Sequence, residues 1–421
     1  MHKEIKKLTR SIFLVITAIV VALAILLWFI THSFMNIQLL PSDASLMIDG
    51  KMLSVPDSGL IRNFISPGIH LIRIEAKGYI GLSQEINFKR GLPKKIVVTL
   101  NKTPEPFAIS AGGKFLTKGD DFNDIYYQNG ATIFRVRVKP DTDRKIKLAE
   151  ERAVTNPVIS ETNEIIWSST KQLALFRQSD FISLFDLKKY DFVNQNENSW
   201  GESVGSIAWA PDNSKVAYYY APADGEKSLI FSNSNNQEIT RVLDFDEHGI
   251  NNPVLRWSPD SEWLLIIPRN EDPQSNKIYL FNAYSRKISE IADTGNQLEA
   301  NFSPDGNKIL YSTYSEDENG VVNSILSIMD KDGSNKKSLN IRAELKKTTW
   351  SKDSENIIVA TYDEQTQQES IFKYDTKKRQ QSGFIIKNLG EDVFVQNLVL
   401  TDDNNVIIYQ DSQGVRAINV Q

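Results

Sequence analysis

A tight turn recurs four times at nearly equal intervals, and this recurrence restricts the possible folds more than any other feature of the chain. The turns read Trp209-Ala210-Pro211-Asp212-Asn213, Trp257-Ser258-Pro259-Asp260-Ser261, Phe302-Ser303-Pro304-Asp305-Gly306 and Trp350-Ser351-Lys352-Asp353-Ser354. Their aspartates stand 48, 45 and 48 residues apart. Weaker copies lie at Ile166-Trp167-Ser168-Ser169 and Leu400-Thr401-Asp402-Asp403-Asn404. Proline presets φ, aspartate accepts a local backbone bond, and the next residue is one that tolerates a turn. An apolar strand follows each turn (216–220, 264–268, 309–313 and 357–362), and a third strand follows that, such as 277–281 or 324–329. Units of this kind cannot bury both faces alone, and set radially they form a β-propeller. At about 45 residues per repeat, residues 107–421 hold seven blades, with six as the alternative. Residues 107–149 supply a degenerate first blade. The chain ends after a third strand at 415–420, so a strand near 106–110 is expected to complete the last blade.

This pattern resembles the W-S-P-D-G propeller repeat, of the WD40-like kind, found in TolB-like bacterial periplasmic and surface proteins. The resemblance implies a scaffold and leaves function to what the scaffold presents.

The N-terminus carries a second strong signal. Residues 12–30 read IFLVITAIVVALAILLWFI, without a charge. At ~1.5 Å per residue such a helix approaches the ~30 Å apolar thickness of a bilayer. Lys3, Lys6, Lys7 and Arg10 precede it, and the next basic residue is Lys51. The sequence therefore predicts a cytoplasmic tail at 1–11 and an uncleaved single-pass transmembrane helix at 12–31. On this reading the protein sits in the cell membrane with the bulk of the chain outside the cytoplasm.

Between helix and propeller, residues 37–101 alternate short apolar strands with turn signals such as Asp49-Gly50 and Pro67-Gly68. They predict a small antiparallel β-sandwich. The segment resembles the PEGA family of bacterial surface modules. The matching residues are Ser42-Asp43-Ala44, Ile48-Asp49-Gly50-Lys51, Pro67-Gly68-Ile69-His70, Gly78-Tyr79 and Val97-Val98-Thr99-Leu100; Pro41-Ser42-Asp43-Ala44 stands in place of the family's naming tetrapeptide. The resemblance implies a non-catalytic module in which His70 fills a strand position. Residues 102–106, with Pro104 and Pro106, form an extended linker.

The expected fold is thus all-β after one N-terminal transmembrane helix: a β-sandwich followed by a propeller. The chain's formal charge is −5, and the basic tail leaves the remainder more acidic still. That excludes nucleic acid, which requires clustered Lys and Arg. With no cysteine, disulfides and thiolate metal sites are excluded.

The usual catalytic patterns fit poorly. Gly201-Glu202-Ser203-Val204-Gly205 matches a nucleophile elbow but precedes a strand where that motif requires a helix. His2, His32, His70 and His248 show no ligand spacing. Asp330-Lys331-Asp332-Gly333-Ser334-Asn335 lacks the glutamate that closes a calcium loop and reads as a hairpin. Glu316-Asp317-Glu318-Asn319-Gly320 reads as a solvated turn, and Asp244-Phe245-Asp246-Glu247-His248 as a blade connection. No catalytic, cofactor or metal residue is assigned. The expected function is non-catalytic binding or scaffolding of an envelope protein or a glycan. The alternative is a carbohydrate-active enzyme with convergent carboxylates in the propeller channel.

Overall fold

The structure is a computed structural model. It describes residues 13–23, 28, 31–121, 123–140, 146–155, 162–178, 187–270, 277–293, 299–316, 322–364 and 366–420. The chain divides into two compact units, Met1–Thr103 and Pro104–Gln421.

In the first unit, residues 13–23, 28 and 31 are helical. Among the described residues no helix is long and apolar enough to cross a membrane. The predicted span at 12–31 is therefore corrected, and the membrane localisation that rested on it is withdrawn. Residues 1–12, 24–27 and 29–30, where parts of that prediction fall, lie outside the described residues. An apolar composition sets what a helix can bury; the span also requires a continuous helix of sufficient length.

Seven strands follow: β1 (Ser33–Leu40), β2 (Ser45–Ile48), β3 (Lys51–Leu53), β4 (Leu60–Ile65), β5 (Gly68–Glu75), β6 (Leu82–Phe88) and β7 (Pro93–Thr99). They form two sheets, ordered β4-β1-β7 and β3-β2-β5-β6. The β2–β3 hairpin turns at Asp49 (φ 47°) and Gly50 (φ 81°), the left-handed pair that a two-residue hairpin needs. Burial alternates along β1 and β5, so Met35, Ile37 and Leu39 meet Ile72 and Ile74 in one core. Each such side chain contributes about 1.5–3 kcal/mol by leaving water. One pairing departs from the expected antiparallel sandwich: β7 returns parallel to β1, with Ile37 opposite Ile96. Strand direction is set by the connection between β1 and β7, which local alternation does not encode.

The second unit contains seven four-stranded antiparallel sheets. Blade 1 comprises Lys114–Lys118, Asp124–Asn129, Thr132–Pro140 and Ile146–Ala153; blade 2 comprises Thr162–Trp167, Leu173–Gln178, Leu187–Asp191 and Asn196–Gly201. Blade 3 comprises Val204–Trp209, Val216–Tyr220, Ser228–Ser232 and Thr240–Asp244; blade 4, Val254–Trp257, Trp263–Ile267, Lys277–Asn282 and Ile288–Asp293. Blade 5 comprises Glu299–Phe302, Lys308–Glu316, Val322–Asp330 and Lys337–Arg342; blade 6, Thr348–Trp350, Asn356–Asp363, Gln368–Asp375 and Gln380–Ile386. Blade 7 takes Asn397–Leu400, Val406–Asp411 and Gly414–Asn419 from the C-terminal end of the chain, and its fourth strand is β8 (Phe107–Ala111). Val415 pairs with Ser110 and Ala417 with Phe107.

Hydrophobic clusters join the sheets into a closed ring. The second strand of each blade is buried on both faces, so consecutive residues serve opposite neighbours. Leu264 and Ile266 pack toward blade 3, whereas Leu265 and Ile267 pack toward blade 5. Ile357 and Val359 face blade 5, and Ile358 and Ala360 face blade 7. Val406 and Ile408 join Val136 and Val138 of blade 1, which closes the circle. This two-sided burial is why these strands read as unbroken apolar runs. The first strands of successive blades lie beside one another, which places them innermost around the axis. The second unit is a seven-bladed β-propeller.

Candidate functional site

The ring has two ends with different chemistry. At one end each blade's first strand turns into its second. There the Ser303 hydroxyl donates to the Asp305 carboxylate at 2.5 Å and accepts the Lys308 N–H at 2.9 Å. Ser351 and Thr401 repeat this arrangement with Asp353 and Asp403. The Ser351 hydroxyl holds the Asp353 carboxyl below the ordinary carboxylate range. The residue after each aspartate has a left-handed backbone: Asn213 φ 58°, Ser261 φ 59°, Ser354 φ 59°, Asn404 φ 58°. Its side chain reaches the preceding blade. Asn213 Oδ1 accepts the Ser169 N–H at 3.0 Å, Ser261 Oγ accepts that of Asp212 at 3.1 Å, and Ser354 Oγ accepts that of Asp305 at 3.0 Å. Asn123 donates to Asp403 at 3.0 Å where blade 1 meets blade 7. Sequence reasoning assigned these residues only to their own turns. Their side chains also tie turns of neighbouring blades together, so this end is scaffold.

Lys171 lies at the same end. Its ammonium sits 5.6 Å from the centre of the Trp167 ring, and burial pushes its pKa down to about 8 although Asp120 opposes the shift.

The opposite end, the mouth, is where first strands begin and second strands finish. Register pairs Lys114 with Gln128 in blade 1, Glu164 with Arg177 in blade 2, and Asn397 with Gln410 in blade 7. Arg177 Nε bonds Glu164 at 3.1 Å, and its terminal nitrogens bond the carbonyls of Val204 and Gly205 at 3.1 and 2.6 Å. Arg269 lies 3.7 Å from Glu299, and Lys347 lies 2.5 Å from the fully buried Glu369 carboxylate.

Arg256, on the first strand of blade 4, is solvent-exposed, yet burial among protein atoms lowers its pKa. Both Glu299 of blade 5 and Glu164 of blade 2 act on it electrostatically, so charges from non-adjacent blades converge there.

A cavity of about 390 Å³ opens at the mouth of blade 1, lined by Gly113, Lys114, Gln128, Gly130 and Ala131. Gln128 is 1% exposed. Its Nε2 donates to the Gly130 carbonyl at 3.1 Å, which fixes the amide orientation, and its buried Oε1 has no partner. Lys114 Nζ donates to the Thr162 carbonyl at 3.4 Å and lies 5.4 Å from the Phe115 ring centre. Sequence reasoning missed this site. Its only local trace is the Gly112-Gly113 pair before a strand.

The residues weighed from sequence fall elsewhere. Ser203 (φ 57°) lies in a two-residue link between strands Asn196–Gly201 and Val204–Trp209, with no helix after it. A Cβ at Gly205 would stand 2.5 Å from the Tyr219 ring, so packing accounts for that glycine. His70 is buried, with Nδ1 2.6 Å from Asp49 and Nε2 2.8 Å from the Ser66 carbonyl. His248 ends an exposed 3-10 turn, Asp246–His248, held over buried Phe245 and Ile250. In the Asp330–Asn335 hairpin, Asp330 accepts from Asn335 at 2.6 Å and Asp332 from the Ser334 N–H at 2.9 Å. His32 stacks on Trp28 at 4.6 Å. His2 and residues 317–320 lie outside the described residues, among which no group of three metal-ligating side chains occurs.

No family model matches the chain, and neither does any curated protein. Among solved structures it is similar to hydrazine synthase from Kuenenia stuttgartiensis, at 12% identity and a TM-score of 0.50, over 74% of this chain and 97% of that one. It is also similar to the putative TolB from Agrobacterium tumefaciens, at 12% identity and a TM-score of 0.40, over 61% of this chain and 90% of that one. An oligogalacturonate lyase in complex with manganese matches at 11% identity and 0.47, over 74% and 99%. At these identities the likeness is one of fold alone, and scores below 0.5 add no argument. A TolB protein is thus among the structures this chain is similar to, whereas no family model matches the PEGA-like segment.

Proposed function

We propose that this protein is a non-catalytic binding propeller that presents its mouth end to a protein or glycan. The observation that carries this reading is the preformed cavity at Lys114 and Gln128. Its size falls in the ~300–1,000 Å³ range of ligand pockets, and its polar atoms are held in place before any ligand arrives. Among the described residues that line it, Lys114 is the only titratable side chain, so these residues offer recognition groups and no acid–base pair. The mouth carboxylates Glu164, Glu299 and Glu369 each face a cation. A glycosidase-type site requires carboxylates free to hold or release a proton.

The test is retention against turnover. Immobilised full-length protein is exposed to a glycan panel and to cell extract, and what binds is eluted and weighed. The expected result is a ligand recovered chemically unchanged. Recovery of a cleaved or eliminated product overturns the reading.

A further inference from the structure

We infer that the rim of the mouth between blades 6 and 7 is a docking surface for a basic segment of a partner protein, with an arginine of that segment lying on the stacked rings of Tyr362 and Phe394. This goes beyond the binding reading above and does not rest on the blade 1 cavity.

The two rings come from different elements. Tyr362 stands near the mouth end of the second strand of blade 6, opposite Glu369. Phe394 belongs to the link from blade 6 to blade 7, residues 387–396. The ring centres are 6.2 Å apart and the planes 29° from parallel, yet Tyr362 is 42% and Phe394 48% exposed. Aromatic side chains are enriched at protein interfaces, because they supply a large contact area at little conformational cost.

The link that carries Phe394 is fixed on both sides. The buried Glu369 carboxylate accepts the Val395 N–H at 2.6 Å and holds Lys347 at 2.5 Å through its other oxygen. The Glu369 carbonyl accepts the Leu389 N–H at 2.7 Å, and Ser370 Oγ accepts that of Asn388 at 3.1 Å. Asn388, Gly390 and Asp392 have φ of 60°, 123° and 63°, conformations that clustered contacts must hold in place. Phe394 is thus presented from an ordered loop, and docking on it requires little further ordering.

Charge selects the partner. Asp392 and Glu391 lie two and three residues before Phe394, and both are exposed. Among the described residues neither is in an ion pair. The cations of the same region are engaged elsewhere: Arg342 with Glu364 at 3.0 Å, Lys347 with Glu369, and Lys387 5.9 Å from the centre of the Phe384 ring. The rim therefore offers two π faces and unmatched negative charge in one loop. A guanidinium meets both requirements, since it is planar, weakly hydrated, stacks on aromatic faces and bonds carboxylates in a fork. An ammonium answers the charge but has no flat face to stack. A neutral sugar covers the rings and leaves the carboxylates unused, and an acidic ligand is repelled.

The experiment titrates full-length protein with fluorescent peptides of alternating glycine and arginine, glycine and lysine, or glycine and glutamate, read by anisotropy at low and at moderate salt. The arginine peptide is expected to bind about threefold more tightly than the lysine peptide, and the glutamate peptide not at all. Phe394→Ala and Tyr362→Ala should each weaken the arginine peptide about fivefold, whereas Phe394→Tyr should keep its affinity. Glu391→Gln combined with Asp392→Asn should weaken both basic peptides and reduce the salt dependence. Circular dichroism confirms that each variant folds, and Tyr362→Leu replaces Tyr362→Ala if that variant does not. Absence of arginine-peptide binding, equal binding of the arginine and lysine peptides, or an unchanged affinity in Phe394→Ala overturns the assignment. So does a neutral glycan whose retention is lost in Phe394→Ala, which gives the rim to a sugar. Any of these results leaves the binding reading standing, and only a ligand recovered chemically altered overturns that.

Discussion

The hydroxyl of Ser261 accepts the backbone N–H of Asp212 at 3.1 Å, and so a residue in the turn of blade 4 holds the turn of blade 3. Ser354 does the same for Asp305, one turn of blade 6 holding one of blade 5. Between blades 4 and 5 the equivalent position is Gly306, which has no side chain to offer. The tie is therefore missing between blades 4 and 5, and this natural gap supplies a control.

Ser261→Ala is expected to destabilise the propeller by about 1–2 kcal/mol, since it leaves the Asp212 N–H without its acceptor. Ser261→Gly loses the same bond but relieves the left-handed backbone at φ 59°, so its cost should be smaller. Urea unfolding of the three proteins checks the order; equal stability of all three removes the inter-blade role.

The turn tryptophans are not equivalent. Trp257 Nε1 donates to the Ala208 carbonyl of the preceding blade at 3.0 Å, whereas the buried Nε1 of Trp209 has no partner. Trp257→Phe should cost about 1 kcal/mol more than Trp209→Phe, the worth of one buried hydrogen bond above the shared loss of ring volume. Melting temperatures measured side by side decide it.

Acid should act through blade 1. Burial opposes the charge of Asp124, but hydrogen bonds from Arg137 and Arg135, the Nε contacts both at 2.7 Å, outweigh it and hold the carboxyl below the usual range. A folded pKa below the unfolded ~3.9 means that the stabilisation is complete above that value and lost as pH falls through the folded pKa. Asp124→Asn should cost about 3 kcal/mol at pH 7, because it leaves the partly buried guanidiniums of Arg135 and Arg137 with only the exposed Asp121 as counter-charge. The difference from wild type should shrink as pH falls below about 4. Denaturant midpoints across that range supply the measurement, and a gap independent of pH would contradict the assignment.

Ring closure depends on Gly414. Its φ is 143°, and a Cβ there would overlap the Ser110 carbonyl and the Gly112 amide, on the segment that brings β8 into blade 7. Gly414→Ala should cost more than about 2 kcal/mol and detach β8. Limited proteolysis near residues 104–113 should become fast in the variant. Cleavage at the wild-type rate means that closure does not pass through this contact.

The repeat turns and two-sided apolar strands were legible in the sequence because each is local. Trp257-Ser258-Pro259-Asp260 encodes its own turn, and the Leu264–Ile267 run declares burial on both faces. Asp49-Gly50 likewise announced the β2–β3 hairpin. Three features were misread or not seen, and each depends on residues distant in sequence. The apolar stretch at 12–30 met the compositional requirement for a membrane span, but the length of continuous helix is a property of the folded chain. The parallel return of β7 beside β1 left no local mark. The inter-blade role of Ser261 was hidden because its acceptor function is directed at Asp212, 49 residues earlier.

The candidate site shows the same division. By itself the sequence determined the blade repeat, the turn chemistry and the acidic overall balance, since hydrophobic period and turn preference act over a few neighbouring residues. Tertiary structure alone decided that Lys114 and Gln128 line one cavity, that the buried amide oxygen of Gln128 lacks a partner, and that ion pairs from several blades gather at one end of the ring. Ring closure sets those positions, and the energy of a buried polar atom depends on what surrounds it in space rather than on what adjoins it along the chain.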